Sequence, residues 1–251
     1  MLNKQNISQN SFLNPGTQTE ASKPGDKWKI SNSLQLSKAQ WAEVLIDIYE
    51  HPMSFPGSVS PQAGELLRAL VVNIAPRNVL EIGSYIGAST IWIASAMSEY
   101  ERRNKLCCID LFLPHTDNPW CPGVELIEPL SYIKNNIKKC GFQSFIELYQ
   151  GDSKDLIPKI AKQIHSTIDF VIIDGDHSFM GCSSDFNLVE PFVSLGGYIL
   201  FHDTFPDYCG VDGPAITLET KIFTNRDKFE VCQIYTEPLN FGFALLRKVT
   251  N

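Results

Sequence analysis

The sequence predicts an α/β domain, a largely parallel sheet with helices wound over both faces. Three observations carry that prediction. From about residue 78 to 203, apolar runs of strand length alternate with helical stretches, the pattern of repeated βαβ units. The first run leads directly into a glycine turn and a helix start, Asn78-Val-Leu-Glu-Ile-Gly-Ser-Tyr-Ile-Gly-Ala-Ser-Thr90. The last two strand-like segments, Phe229 to Thr236 and Asn240 to Lys248, are joined by Glu237, Pro238 and Leu239 alone. So short a link admits only an antiparallel hairpin.

Composition bounds the function. The chain has 251 residues, 43% hydrophobic and 20% charged, enough for one domain with a sizeable core. A net charge of −7 leaves no basic excess to neutralise a phosphate backbone, which argues against a nucleic-acid partner. No apolar run reaches the roughly 18 residues that a membrane span needs. Met1 to Asn10 lacks the apolar centre of a signal peptide. The seven cysteines are odd in number and none form C-x-x-C, so neither a disulfide framework nor a zinc cluster is expected. A cytoplasmic protein is the simplest reading.

Taken in order, residues 1–35 are rich in Asn, Gln, Ser, Thr and Lys and read as a flexible segment or a lid, with Trp28 and Ile30 as docking points. Ser37 reads as the N-cap of a helix running to about His51, with Trp41, Val44, Leu45 and Ile48 on one face. A second helix runs from Pro61 to about Ile74 and Pro76 ends it. Residues 36–76 thus form an N-terminal helical unit suited to a homo-oligomer contact, and 77–251 form the core. Strands are expected near 78–83, 106–110, 145–149, 168–174 and 197–203, with helices near 87–100, 127–140, 154–164 and 179–194. In the first strand Val79, Leu80 and Ile82 suit burial on both faces. Gly83 and Gly87 let the chain turn tightly and let a ligand approach the backbone. Ser89 and Thr90 fall in the first helical turn beside unpaired N–H groups, so the unit is a ready cofactor cradle.

Polar residues gather at the carboxyl ends of the predicted strands, where α/β sheets bind ligands. The second strand ends at Asp110, which can accept both hydroxyls of a ribose. The third is followed by Asp152 and Ser153, either of which can meet an adenine amino edge or cap the next helix. The fourth ends Asp174-Gly-Asp-His177, placing three ionisable groups in four positions. The fifth ends His202-Asp203. With the fourth and fifth strands adjacent, Asp174, His202 and Asp203 converge, a donor set for a hard divalent cation such as Mg²⁺, with the imidazole tolerating Mn²⁺. Long loops after the second strand, with His115, Asp117 and Trp120, and after the fifth, Phe205 to Pro214, are placed to shape an acceptor pocket.

A dinucleotide fingerprint needs glycines where this chain has Tyr85 and Ala88. What remains, Glu-x-Gly-x-x-x-Gly-x-Ser, resembles motif I of class I S-adenosylmethionine (SAM) methyltransferases. Asp-Gly-Asp-His-Ser and Gly-Gly-Tyr-Ile-Leu-Phe-His-Asp-Thr resemble the small-molecule O-methyltransferase group. That group includes cation-dependent catechol and caffeoyl-CoA enzymes, macrolide-sugar O-methyltransferases and cephalosporin-hydroxylase-like proteins. The resemblance covers about residues 60–248. It implies a Rossmann-like seven-stranded sheet of order 3-2-1-4-5-7-6 with strand 7 antiparallel. It implies S-adenosyl-L-methionine held by Glu81, Gly83, Ser84, Tyr85, Gly87, Ser89, Asp110, Leu111, Asp152, Ser153 and Asp174. It places a divalent cation on Asp174, His202 and Asp203, and makes His177, in the position of a lysine in catechol-type enzymes, the general base. Catechol-type enzymes carry Asp-Asn where this chain has His202-Asp203. The implied activity is methyl transfer to a hydroxyl of a small molecule, be it sugar, phenol or another natural product. The cephalosporin-hydroxylase-like members imply a second reading, a SAM-fold protein that does not methylate and serves a hydroxylation system as a partner.

Overall fold

A computed structural model of the chain describes residues 25–100, 104–116, 118–164 and 167–250. Five strands run parallel: β1 (Asn78–Ile82), β2 (Lys105–Asp110), β3 (Ile146–Gln150), β4 (Ile168–Ile173) and β5 (Val193–His202). β6 (Phe229–Ile234) and β7 (Phe243–Lys248) form the expected hairpin, with β7 antiparallel to β5. The sheet order is β3-β2-β1-β4-β5-β7-β6, as the resemblance implied. β5 begins four residues earlier than the sequence suggested, and its pairing with β4 is irregular between Ile168 and Phe170.

Nine α-helices flank the sheet among the described residues: α1 (Asn32–Leu36), α2 (Gln40–Glu50), α3 (Pro61–Ile74), α4 (Ala88–Met97), α5 (Pro129–Cys140), α6 (Ser153–Ile164), α7 (Phe179–Val189), α8 (Pro206–Cys209) and α9 (Gly213–Thr217). The strands alternate between two apolar clusters, as a period of two demands. Val79, Phe170 and Leu200 face α2, α3, α4 and α5, while Leu80, Val171 and Phe201 face α6, α7 and the Leu218–Ile222 turn.

The N-terminal helices are bound into the first cluster. A Cβ built on Gly64 in α3 would lie 2.0 Å from Trp92 Nε1 in α4, so only glycine lets the two helices approach this closely. The Trp92 indole donates to Tyr49 Oη at 2.7 Å, and that hydroxyl donates to the Val59 carbonyl at 3.1 Å. Two expectations change here. Ser37 does not cap the long helix. It closes α1, whose own N-cap, Ser31, accepts from Leu34 N–H, and α2 starts after Ala39 with no side-chain cap. Residues 32–35, assigned to the flexible segment, are therefore helical. Trp28 is 5% exposed, with its indole donating to the Ser54 carbonyl at 2.9 Å and its ring edge-on to Phe55 at 4.8 Å. Residues 1–24, the rest of the supposed lid, lie outside the described residues.

Candidate functional site

The glycine turn joins the tips of β1, β2 and β4. Gly83 has φ +87°, and a Cβ there would lie 2.1 Å from the Asp174 carbonyl oxygen. Both the left-handed backbone and the missing side chain are required. Gly83 N–H donates to the Ile109 carbonyl at 2.9 Å and Asp174 N–H to the Ile82 carbonyl at 2.8 Å, which locks the three tips together. Asp110 Oδ2 accepts from the N–H groups of Ser84 (2.8 Å) and Tyr85 (2.9 Å), and Oδ1 from Phe112 N–H (2.7 Å). The carboxylate therefore shapes the turn, and its spare lone pairs face the cavity it lines. Tyr85, at φ +49°, donates its hydroxyl to the Met53 carbonyl (2.8 Å) and accepts from Asn118 Nδ2 (3.3 Å).

A cavity of about 890 Å³ opens over these tips. Gly83, Tyr85, Asp110, Leu111, Asp152, Ser153 and Asp174, all expected around the cofactor, line it. Ser84 and Ser89 line a narrow adjoining cleft instead. Gly87, at φ +91°, is the N-cap of α4, where a Cβ would press on Ile133 at 3.2 Å. Glu81 does not reach the cavity, which corrects its assignment to the cofactor. Its side chain is fully buried, and Oε2 accepts the hydroxyls of Ser84 (2.9 Å) and Thr90 (2.6 Å). Burial pushes this carboxyl up, against the opposing effect of hydroxyl donors that include Ser89 and Thr90. Glu81 braces the turn from behind.

The tips of β4 and β5 bring Asp174, His177, His202 and Asp203 into one cluster. His177 Nε2 lies 2.8 Å from Asp203 Oδ2 and 3.4 Å from Asp174 Oδ1. His202 Nδ1 lies 3.1 Å from Asp174 Oδ1 and 3.3 Å from Asp203 Oδ1. Asp203 is held at φ +55°, an uncommon conformation for a residue with a Cβ and one that collects at functional sites. A Cβ on Gly213 would lie 2.2 Å from the His177 carbonyl oxygen, so α9 packs directly behind the His177 loop. Burial alone would raise the carboxyls and lower the imidazoles. The opposed charges outweigh it: Asp174 and Asp203 are held below the usual carboxylate range, His202 is driven well up, and His177 is raised to about 10.

The donor set fits a divalent cation. Ligand atoms of Asp174, His177 and Asp203 lie within 4.8 Å of one another. His177 Nε2 and Asp203 Oδ1 are buried yet make no aligned hydrogen bond, although each has an opposite charge close by. The sequence put His202 in this set and His177 outside it. In the structure His177 stands inside, on the cavity side with 35% of its side chain exposed, and His202 at 6% backs both carboxylates.

The acceptor loops also converge. His115 pairs with Leu126 through two 2.9 Å backbone bonds and sets its ring edge-on to Tyr85 at 4.9 Å. Trp120 lines the cavity, whereas Asp117 lies outside the described residues. The segment after β5 folds into α8 and α9, which was not anticipated, and brings Tyr208 and Val211 to the cavity. Asp185, buried at 3% exposure in α7 and lining the cavity, was also missed. Its signal was a lone carboxylate within the apolar stripe Cys182, Phe186 and Val189.

The sheet order, the cradle over β1 and the polar strand tips together define the Rossmann-like fold of class I methyltransferases. A family described as "Methyltransferase domain" matches residues 80–204. The chain is 26% identical over 119 residues to a catechol O-methyltransferase of Niastella koreensis, covering 47% of this chain and 46% of that protein, so the match spans about half the relative's length. It is 23% identical over 213 residues to a caffeoyl-CoA O-methyltransferase of Stellaria longipes, covering 79% of each. The solved O-methyltransferase of Bacillus cereus in complex with SAH superposes with a TM-score of 0.63 at 19% identity, covering 86% of this chain and 94% of that one. Residues 80–204 thus match a methyltransferase domain, and the fold is that of the class I methyltransferases. No described helix is long and apolar enough to cross a membrane.

Proposed function

We propose that this protein transfers the methyl group of S-adenosylmethionine to a hydroxyl of a small molecule, assisted by a divalent cation held at the carboxylates of Asp174 and Asp203, with His202 behind them. The observation that carries the proposal is that the four-residue cluster and the Gly83 turn open into one cavity. The sulfonium of the cofactor supplies an electrophilic methyl carbon, and a bound cation would lower the pKa of a hydroxyl it chelates. The chain's own residues align and deprotonate. Asp110 accepts the ribose hydroxyls, Asp152 and Ser153 meet the purine, and the walls of the cavity hold the acceptor oxygen in line. His177 takes the acceptor's proton at Nε2. Facing two carboxylates, it keeps its own proton up to about 10. It becomes a competent base near neutral pH only when positive charge offsets Asp174 and Asp203, which is why the reading includes a cation.

The lining also bears on the acceptor. Lys154, beside Ser153, is the one lysine or arginine among its described residues, whereas Leu239, Phe241 and Val211 are apolar. So little positive charge among the described lining residues favours an uncharged or amine-bearing hydroxylated acceptor over a CoA thioester. The test is calorimetric titration with S-adenosylhomocysteine, followed by a methyl-acceptor screen with Mg²⁺, Mn²⁺ or EDTA. Binding plus cation-dependent methylation of a free diol or phenol is expected. Absence of S-adenosylhomocysteine binding overturns the methyltransferase reading, and full turnover in EDTA overturns the cation alone.

A further inference from the structure

Asp185 is a buried carboxylate that the chemistry above does not use. It projects from α7 at 3% exposure and still lines the cavity, against Ser153 and Gly175. Ser153 Oγ, on the first residue of α6, donates to Asp185 Oδ1 at 2.5 Å. Among the described residues Asp185 joins no ion pair and Oδ2 accepts no hydrogen bond. A Cβ on Gly175 would lie 3.7 Å from Oδ2, so that oxygen faces the bare backbone directly after Asp174. A desolvated carboxyl without a contacting cation is costly, and burial, with Asp176 and Asp152 nearby, raises this one to about 6 against the weaker pull of Ser153 and Lys154. Such a group is expected where a ligand brings the missing donor.

The cavity says which part of a ligand that is. With the reacting methyl beside the Asp174 cluster and the ribose at Asp110, the remaining base must lie at the β3 and β4 tips, against Ser153 and Gly175. We infer that Asp185 is a positioning residue that turns this end of the cavity into an acceptor-only edge, selecting a purine with a 6-amino group over one with a 6-oxo group. By taking the Ser153 hydroxyl proton, it leaves Ser153 Oγ with lone pairs alone to offer, and its own Oδ2 adds a second acceptor. An exocyclic amine satisfies that edge. A 6-oxo group meets oxygen with oxygen and leaves buried acceptors unpaired. The inference rests on the proposed use of the cavity for S-adenosylmethionine.

The experiment compares binding of S-adenosylhomocysteine and S-inosylhomocysteine by calorimetry to the full chain, as wild type, Asp185→Asn and Ser153→Ala. Wild type is expected to prefer the adenosyl compound by on the order of 100-fold. Asp185→Asn presents an amide N–H that a 6-oxo group can accept, and the preference narrows by about tenfold or more. Ser153→Ala narrows it as well. A merely structural role would weaken both ligands together and leave their ratio alone. An unchanged ratio in folded Asp185→Asn, with adenosyl binding intact, overturns the inference and spares the methyltransferase reading. Failure of wild type to bind either compound overturns both.

Discussion

Replacing Asp185 with asparagine should stabilise the ligand-free protein, and the gain should depend on pH. Burial raises the carboxyl from 3.8 to about 6, so the folded state binds its proton more tightly than the unfolded state does. At about 1.4 kcal/mol per tenfold change in proton affinity, that rise corresponds to about 3 kcal/mol. The favourable contribution is complete below the unfolded value and is lost as pH climbs through about 6. The charged carboxyl therefore destabilises the fold at neutral pH. Asparagine keeps an acceptor for the Ser153 hydroxyl and carries no charge. Urea unfolding of wild type and variant, without ligand, should show little difference near about pH 4, about half the effect near pH 5 and about 3 kcal/mol in the variant's favour near pH 8. A difference that stays constant across this range would refute the assignment of the cost to ionisation.

Three further outcomes follow from the site and its supports. Gly83→Ala combines a left-handed φ with a Cβ 2.1 Å from the Asp174 carbonyl; a loss of about 2–4 kcal/mol is expected, and an unshifted thermal midpoint would contradict the close approach of β1 and β4. His177→Ala should retain S-adenosylhomocysteine and Mn²⁺ binding while turnover falls by about 10²-fold or more. Loss of Mn²⁺ binding, read by electron paramagnetic resonance, would make His177 a ligand rather than the base. Trp28→Ala removes a buried indole and its bond to Ser54, with an expected cost of about 3–4 kcal/mol; an unchanged urea midpoint would show that the segment is not docked.

What could be read from the sequence was whatever depends on strand tips. Pairing of Ile173 with Phe201 across β4 and β5 makes Asp174 and His202 neighbours, and this follows once the strand order is known. Ring directions do not follow from order, so only the structure shows His177 on the cavity side and His202 buried behind the carboxylates. Glu81 misled for a related reason. In a strand buried on both faces, alternation does not say whether a polar side chain meets a ligand or the back of a turn. Ser37 looked like a cap because a serine before an apolar helix is a good one, but Ser31 had already started α1 six residues earlier. Asp185 needed tertiary contact with Ser153 before its isolation in an apolar stripe meant anything.

The Tyr85 phenol reaches across three segments distant in the chain: its own turn, the Met53 carbonyl and Asn118. Pro56 and Gly57, from the same stretch as Met53, line the cavity. A chain shortened to begin at β1 would thus keep every polar strand tip and yet lose one side of its binding chamber. The loop between α2 and α3 is masonry of the cleft, and a graft of the nucleotide-binding half alone onto another protein would carry the strand tips without the room around them.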